Sequence, residues 1–188
     1  VDKHDNETLF DNNAYKLPVT TSKADRVRVQ TLGSAFALLA QGIPFFNAGS
    51  DILRSKSMDR DSYNSGDWFN RLDWTYTDNN FGVGAPDAAK NSSNWSVIKP
   101  FLANPLIKMG NTEITSANAV FRDFLRVRYS STLFRMRTGA DVMSRLKFYN
   151  TGTTQTAALV VFRLDGTGYT GANYDKIVVL YNVDKVAK

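Results

Sequence analysis

The sequence predicts an α/β part followed by an all-β part, and three observations carry this prediction. A capped segment with apolar residues at helical spacing leads into a short apolar run at 43–49 that ends in glycine. Beyond about residue 135, β-branched and aromatic residues concentrate in three short segments separated by Gly, Asn and Thr turns. We therefore expect a crossover unit of a parallel sheet first and an antiparallel β module after it.

The crossover unit is predicted from residues that start and stop its helix and strands. Residues 1–3 are expected to end a strand, with His4 and Asp5 at its rim, and residues 7–21 to form an irregular polar loop. Ser22 with Asp25 three residues later resembles a capping box, and Gly42 supplies a stop. The apolar positions at helical spacing are Val29, Leu32, Phe36 and Leu39. The run at 43–49 is then expected to be a strand buried on both faces.

The second half of the chain changes character. The segment 50–94 is long, polar and rich in aromatic residues, which is typical of a functional loop. Residues 95–102 predict a short helix, and Ser116 is expected to cap a longer one whose buried stripe is Ala119, Val120, Phe124 and Val127. The three β segments are expected at 142–149, 157–164 and 176–183.

Composition excludes several classes of site. The 188 residues contain no cysteine and one histidine, so a disulfide framework, a thiol nucleophile, a cysteine-ligated metal site and a histidine-rich metal site are all excluded. No apolar run approaches the ~18 residues of a membrane span. The formal charge of +5 comes from scattered Lys and Arg residues, which favours a solvated surface over a nucleic-acid partner.

Two familiar motifs are interpreted as structural. Gly166 to Gly171 matches the GxGxxG string of dinucleotide sites, but a strand rather than a helix is predicted after it, so we expect a hairpin loop. The acidic segment from Asp59 resembles a calcium loop, yet its sixth and twelfth positions hold Asn64 and Asn70 instead of Gly and an acid. Three glycosylation sequons, at Asn6, Asn91 and Asn94, are expected to be coincidental in Asn-rich loops.

Two pairs of polar residues are candidates for chemistry. His4 and Asp5 place an imidazole and a carboxylate at the predicted strand rim, where barrels carry catalytic groups, although a surface turn explains the pair equally well. Asp67 and Arg71 lie four residues apart beside Trp68 and Phe69. They are compatible with a clamp on sugar hydroxyls and equally with a local ion pair.

Nine segments spread over nearly the whole chain carry a resemblance to a known family. They are KHDN (3–6), TLFDNNAYK (8–16), ADRVR (24–28), QGIPFF (41–46), AGSDILRSKS (48–57), DSYNSGDWFNRLDW (61–74), NWSVIKP (94–100), ANAVFRDFL (117–125) and VMSRLKFYNTG (142–152). Together they resemble the bacterial pullulanase type of the alpha-amylase superfamily of glycoside hydrolases. The resemblance departs from the family at Asn47, where relatives often carry His, and at Asp2, where a small residue is common.

The resemblance implies a fold and a place within a longer chain. Residues 1–134 would be the last quarter of a (β/α)8 TIM barrel, from the end of its seventh strand to its eighth helix. Residues 135–188 would be part of an antiparallel C-terminal β-sandwich domain. A complete barrel needs about 200 residues or more. We therefore expect a C-terminal fragment of a secreted or cell-surface bacterial enzyme, with the remainder of the parent chain as a partner.

The resemblance also implies retaining hydrolysis of alpha-1,6 branch linkages in pullulan, amylopectin and limit dextrins. In the family the nucleophile and the general acid lie on the fourth and fifth barrel strands, before Val1, so this chain alone is expected to be inactive. Asp5 matches the third acid, which stabilises the transition state, and His4 matches the histidine that binds the same sugar. Asp67 and Arg71 match the pair that grips the next glucose. Members often bind calcium, but no ligand set here matches theirs, so we expect no cofactor in this fragment.

Two other classes remain open from the sequence. Another alpha-glucan hydrolase of the isoamylase or neopullulanase type would share the barrel and differ in linkage preference. A non-catalytic carbohydrate-binding module would instead place the function in the C-terminal strands.

Overall fold

A computed structural model of the chain describes residue 2 and residues 6–188. Of the strand end predicted at 1–3 only Asp2 is described, and it is not in a strand; the rim residues His4 and Asp5 lie outside the described residues. The helices are α1 Leu9–Lys16, α2 Lys23–Leu38, α3 Asp67–Asn70, α4 Ala88–Asn91, α5 Trp95–Leu102, α6 Asn111–Tyr129 and α7 Gly139–Arg145. The strands are β1 Leu146–Tyr149, β2 Leu159–Asp165 and β3 Lys176–Asn182. In the described part of the chain, none of these helices has both the length and the apolar character needed to cross a bilayer.

The loop predicted at 7–21 is wrong, because α1 occupies its centre. Thr8 caps the helix by accepting a hydrogen bond from the Asp11 backbone N–H at 3.1 Å. Phe10, Asp11 and Ala14 are buried, and the Phe10 ring meets Phe81 edge-on at 5.9 Å. Packing of this buried face against the core therefore stabilises α1, which the polar composition of the segment does not predict.

Helix α2 begins as predicted. The Ser22 hydroxyl accepts from the Asp25 N–H at 3.1 Å and donates to the Asp25 carboxylate at 2.7 Å. The face that packs inward differs in part from the apolar positions of the sequence, because Val27 and Gln30 are buried whereas Phe36 is 38% exposed. The buried Gln30 amide is satisfied by hydrogen bonds with the Asn13 side chain and with the Ser50 carbonyl.

The buried strand predicted at 43–49 is not observed. This segment is extended without strand pairing, and its one backbone hydrogen bond to a described residue of the N-terminus runs from the Asp2 N–H to the Phe45 carbonyl at 2.9 Å. Ile43 is 93% exposed and Phe45 is 56% exposed. A doubly buried strand needs neighbours on both edges and both faces, and the described residues do not supply them.

The short helix predicted at 95–102 is confirmed as α5. The longer helix, α6, begins at Asn111 rather than near Ser116, because the Glu113 carboxylate accepts from the Gly110 N–H at 3.0 Å and fixes the first turn. The predicted stripe is wrong: Ala119 and Val127 are exposed and Val120 and Phe124 are only half-buried. The buried positions are Ile114 and Ala117 instead. Arg122, Asp123 and Arg126 are exposed, as predicted.

The contacts divide the chain into two compact units. The first comprises the described residues up to 37 together with residues 45–122, and the second comprises residues 38–44 and 123–188. The core of the first unit consists of side chains from α1, α2, α5 and α6 and from the loops between them. These residues are Phe10, Ala14, Val27, Ile52, Leu53, Met58, Phe81, Ile98, Ile107, Met109, Ile114 and Ala117.

The second unit contains the antiparallel sheet that the sequence predicts. The strand order is β1-β2-β3, and Phe162 pairs with Phe148 on one side and with Val179 on the other. Residues 142–145 belong to α7 instead of the first strand, because Thr138 accepts from the Asp141 N–H at 3.1 Å and starts a helix there. The GxGxxG segment is the loop between β2 and β3, as predicted, and no helix follows it.

A buried arginine completes α2 within the second unit. Arg128 is 7% exposed, and its guanidinium donates to the carbonyls of Leu38, Ala40 and Gly42 at 2.7, 2.9 and 2.5 Å. The last carbonyls of a helix have no intrahelical donor, and a cation beside them also opposes the negative end of the helix dipole. Arg128 therefore takes the place of a local C-cap.

Replacing Arg128 by leucine is expected to lower the free energy of unfolding by about 2 to 4 kcal/mol, because three carbonyls lose a charged donor. Urea denaturation followed by circular dichroism measures the change. Arg126→Leu, an exposed position on the same helix, is the matched control and should stay within about 0.5 kcal/mol of the wild type. Equal effects of the two substitutions would contradict this role of Arg128.

Candidate functional site

The site rests on a buried carboxylate from α1. Asp11 has no exposed surface, and its two oxygens accept from the Ser55 hydroxyl at 2.5 Å and from the Lys56 N–H at 2.8 Å. Burial raises the pKa of the Asp11 carboxyl to about 6, against the opposing effect of these hydrogen bonds. Asp11 therefore fixes the backbone of residues 55 and 56 against the core of the first unit.

The segment around Asp11's partners has an unusual backbone. Leu53, Ser57 and Met58 have φ values of 61°, 51° and 64°, the left-handed region that residues with a side chain rarely occupy. Asn79 stabilises this path by donating to the Leu53 carbonyl at 3.0 Å and by accepting from the Ser55 N–H at 2.9 Å through its own carbonyl. The outcome is a rigid loop that presents Arg54 and Lys56 at the surface of a pocket.

Gly49 allows the entry into this loop. Its φ is 91°, and a side chain at this position would approach Arg54 Cβ to 2.9 Å. Arg54 in turn donates to the Ala48 carbonyl at 3.1 Å and to the Asn70 carbonyl at 2.8 Å. Burial lowers the pKa of the Arg54 guanidinium. Arg54 therefore joins the loop to the next part of the site while remaining a cation.

The Arg54 pocket is a depression of about 290 Å³ in the first unit. Most of its lining side chains are polar, with one exposed aromatic ring among them. The lining residues are Asn6, Asn47, Arg54, Lys56, Arg60, Asp61, Ser62, Tyr63 and Asn70. Burial, followed by the neighbouring Arg54 charge, lowers the pKa of the Lys56 ammonium, which is 5% exposed.

The Asp67 pocket adjoins it and contains both members of a predicted pair. Its volume is about 310 Å³, and it is lined by Asp67, Trp68, Asn70 and Arg71. Gly66, with φ at 77°, turns the chain into α3, and Trp68 anchors that short helix by donating from Nε1 to the Val83 carbonyl at 3.2 Å. Asp67 and Arg71 are exposed, and among the described residues Asp67 is not ion-paired with Arg71.

A third depression, the Lys90 pocket, adjoins the Arg54 pocket. It has a volume of about 470 Å³ and is lined by Asn6, Arg60, Asp61, Lys90, Asn91 and Asn94. It shares Asn6, Arg60 and Asp61 with the Arg54 pocket, which in turn shares Asn70 with the Asp67 pocket. The three pockets therefore form one row of adjoining depressions in the first unit.

The acidic segment that resembles a calcium loop has a different role. Asp59 is buried, and its carboxylate accepts from the Asp61 N–H at 2.9 Å, from the Ser65 hydroxyl at 2.6 Å and from the Asn91 amide at 3.3 Å. Asn91 is 1% exposed, so the sequon at this position is not accessible in the folded chain. Within residues 2 and 6–188, no group of three His, Cys, Asp or Glu side chains is arranged to hold a metal ion.

The predicted site residues are thus placed unevenly. Asp67 and Arg71 line the same pocket, whereas His4 and Asp5 lie outside the described residues. The next residue in the sequence, Asn6, lines two of the three pockets. Sequence reasoning missed Arg54, Lys56 and Asn70 as lining residues, although the first two lie in AGSDILRSKS and the third in DSYNSGDWFNRLDW.

Comparisons with known proteins place this surface in context. A family model described as alpha-1,6-glucosidases, pullulanase-type, C-terminal, matches residues 76–188. The chain is 47% identical over 190 residues to pullulanase 1, chloroplastic, of Arabidopsis thaliana, covering 97% of this chain and 20% of that protein. It is 43% identical over 178 residues to the pullulanase of Klebsiella pneumoniae, covering 93% of this chain and 16% of that protein.

A solved structure agrees with these relatives. The crystal structure of Klebsiella pneumoniae pullulanase complexed with maltotriose matches with a TM-score of 0.90 and 41% identity, covering 97% of this chain and 18% of that chain. A more distant match is pullulanase from Bacillus acidopullulyticus, with a TM-score of 0.68 and 25% identity. The chain spans about a fifth or less of the length of the curated relatives named above.

The ionisation of Asp11 makes a prediction about stability. Its pKa of about 6 in the folded chain lies above the ordinary value of 3.8, so the folded chain binds the proton more tightly than the unfolded chain between these values. The contribution of this group to the free energy of unfolding is therefore fully present below about pH 4, falls as the pH rises to about 6, and is level above that. Asp11→Asn should remove this fall, which amounts to about 2 to 3 kcal/mol.

Urea denaturation of the wild type and Asp11→Asn at a series of pH values from about 4 to 7 measures the difference. Asp123→Asn, an exposed carboxylate on α6, is the control and should follow the wild-type profile. Parallel profiles for the wild type and Asp11→Asn would show that Asp11 does not titrate in this interval.

Proposed function

We propose, from the premise that this chain belongs to the C-terminal family of the pullulanase-type alpha-1,6-glucosidases, that it is the C-terminal part of a longer starch-debranching enzyme. The parent enzyme would hydrolyse alpha-1,6-glucosidic branch linkages in pullulan, amylopectin and limit dextrins. The observation that carries this proposal is the row of adjoining pockets in which Asp67 and Arg71 line one pocket and Asn6, next to Asp5 in sequence, lines the other two.

The first unit is proposed to complete a (β/α)8 barrel with the remainder of the parent chain, and the sheet to belong to a β-sandwich. The extended segment 43–49 supports the barrel, since Ile43 and Phe45 expose apolar surface and most of its backbone has no strand partner among the described residues. The exposed Val178 and Leu180 on β3 support a second layer over the sheet. The boundary near residue 135 stays a prediction.

The proposed chemistry divides between this chain and its parent. Retaining hydrolysis needs a carboxylate nucleophile and a carboxylic acid about 5 Å apart, which we assign to the part of the parent before Val1. Asp5 is proposed to bind the sugar hydroxyls next to the reacting carbon and His4 to donate to the same sugar. A charge-assisted hydrogen bond that strengthens as the ring flattens lowers the barrier without tightening ground-state binding.

Asp67 and Arg71 are proposed to hold the adjacent glucose. Both side chains are exposed at the same pocket, so a carboxylate acceptor and a guanidinium donor are available to neighbouring hydroxyls. Trp68 and Asn70 complete the lining, and Asn70 also fixes the loop before α3 by donating to the carbonyls of Ser62 and Gly66 at 2.7 and 3.0 Å. Asn70 therefore fixes the backbone that leads into the helix of Asp67, and the two charged side chains, both among the described residues, are not paired with each other.

The function is tested by comparing the full-length parent with the 188-residue chain. The parent is expected to release reducing sugar from pullulan, and the chain alone is expected to release none, because the nucleophile and the general acid are absent from it. Linear amylose distinguishes the alternatives, since an enzyme of the neopullulanase type would also cleave its alpha-1,4 bonds. A parent inactive on pullulan would contradict the proposed function.

The two assigned pairs should differ in kinetic effect. In the parent, Asp5→Asn is expected to lower kcat about 100-fold to 1000-fold, because Asp5 acts in the transition state. Asp67→Ala is expected mainly to raise KM, by about tenfold, because it removes binding that the substrate and the transition state share. Steady-state kinetics on pullulan measure both, with Asp123→Ala as the exposed control. The reverse split would show that the two roles are exchanged.

A further inference from the structure

Tyr63 is an aromatic side chain that the proposed function leaves without a role. It is 81% exposed, it lies in a short 3-10 turn at Ser62–Asn64, and its ring lines the Arg54 pocket. A single exposed aromatic residue is ordinary on a protein surface. Here, however, contacts from Asn70 and Lys90 hold the turn that carries the ring.

Asn70 holds the turn on one side. Its amide accepts from the buried Ser62 hydroxyl at 3.0 Å and donates to the Ser62 carbonyl at 2.7 Å. The Ser62 hydroxyl and carbonyl are thus both engaged by the same side chain. Because Asn70 also lines the Asp67 pocket, the position of the Tyr63 turn is tied to that pocket.

Lys90 holds the turn on the other side. Its ammonium donates to the Asp61 carbonyl at 3.0 Å and to the Asn64 side chain, and it lies 3.5 Å from the Asp61 carboxylate. It also lies 4.1 Å from the centroid of the Tyr63 ring, a cation–π arrangement on one face. The rest of the ring is open to solvent, so the ring is oriented before any ligand arrives.

The charges around the ring favour a neutral ligand. The Arg54, Arg60 and Lys90 cations are each engaged within the chain: Arg54 with two backbone carbonyls, Arg60 with Glu7 at 3.2 Å, and Lys90 with Asp61. Tyr63 shares the Arg54 pocket with Arg54, Arg60 and the Asn6 amide, and its ring is bordered on one face by Lys90. An aromatic platform bordered by planar polar groups suits a pyranose ring, which has a C–H face and hydroxyls at its edge.

We infer that Tyr63 is the platform of a further glucosyl subsite, formed by the Arg54 and Lys90 pockets and separate from the subsite at Asp67 and Arg71. This inference rests on the proposed function for the identity of the ligand as an alpha-glucan. The two pockets have volumes of about 290 and 470 Å³ and share three lining residues, so a second glucose unit continues from one to the other. Lys90 is a positioning residue, because it acts on the sugar through the ring.

The test uses the full-length parent and maltotetraose, which has no alpha-1,6 bond and therefore reports binding without cleavage. Isothermal titration is expected to show a dissociation constant about fivefold to tenfold higher for Tyr63→Ala than for the wild type, through lost stacking. Tyr63→Phe keeps the ring and should recover most of the loss. Lys90→Met removes the ammonium and should weaken binding about threefold by releasing the turn.

Two comparisons make the result specific. Tyr174→Ala, at a tyrosine that is 51% exposed on the loop between β2 and β3, should bind like the wild type. The losses of Tyr63→Ala and Asp67→Ala should multiply in the double variant, as expected for separate subsites. A double variant no weaker than either single one would place both residues in one subsite and overturn the inference.

Failure of this inference is distinguishable from failure of the proposed function. If the parent binds maltotetraose through Tyr63 but leaves pullulan intact, the proposed activity is wrong and the inferred subsite stands. If the parent cleaves pullulan and the Tyr63→Ala variant binds maltotetraose as tightly as the wild type, only the inferred subsite is wrong. If Tyr63→Ala lowers the melting temperature of the parent, the Lys90→Met variant is used instead. Unchanged maltotetraose binding by Lys90→Met would overturn the inference.

Discussion

The Asp11 carboxylate is the interaction on which the candidate site depends. A carboxylate with no exposed surface loses its hydration, and the raised pKa records that cost. Hydrogen bonds from Ser55 and Lys56 offset part of it. The two oxygens of this group accept from the Ser55 hydroxyl and the Lys56 backbone N–H at once, so the buried carboxylate holds both parts of the loop. Burial of Asp11 therefore costs stability and fixes the loop at Ser55 and Lys56 in one conformation.

The loop that Asp11 holds determines the rest of the surface by a short series of contacts. Its left-handed residues leave Arg54 pointing toward the carbonyls of Ala48 and Asn70. Asn70 then fixes the turn at Ser62, and the buried Asp59 fixes Asn91 beside Lys90. Each step uses a buried or half-buried polar group that finds a partner, as interiors require. The pockets are therefore built from the backbone outward, and their exposed side chains are the last members of the series.

The sequence predicted the elements whose signals are local and failed where the signal lies elsewhere in the chain. The Ser22 capping box, helix α5 and the antiparallel sheet were found because capping residues and β-branched runs act on their immediate neighbours. Helix α1 was missed because its stability comes from packing Phe10 against Phe81, seventy-one positions later. The strand predicted at 43–49 was wrong because its apolar run anticipates neighbours that the described residues do not include. The pair at Asp67 and Arg71 was recognised by resemblance, whereas its support by Asn70 needed the fold.

The excess of cations on this surface fits the proposed function, in which carboxylates act on a neutral glucan. Lys56 is almost fully buried, and its lowered pKa shows that its charge is disfavoured by burial and by Arg54, and only partly restored by Asp11, Asp59 and Glu7. Asn6 lines the pocket that Lys56 also lines, and the residue before it is the proposed third acid, Asp5. Under the proposed function, the positive charge of the loop complements the acids of the parent enzyme, and the glucan would be bound by the hydrogen bonds and the rings that remain.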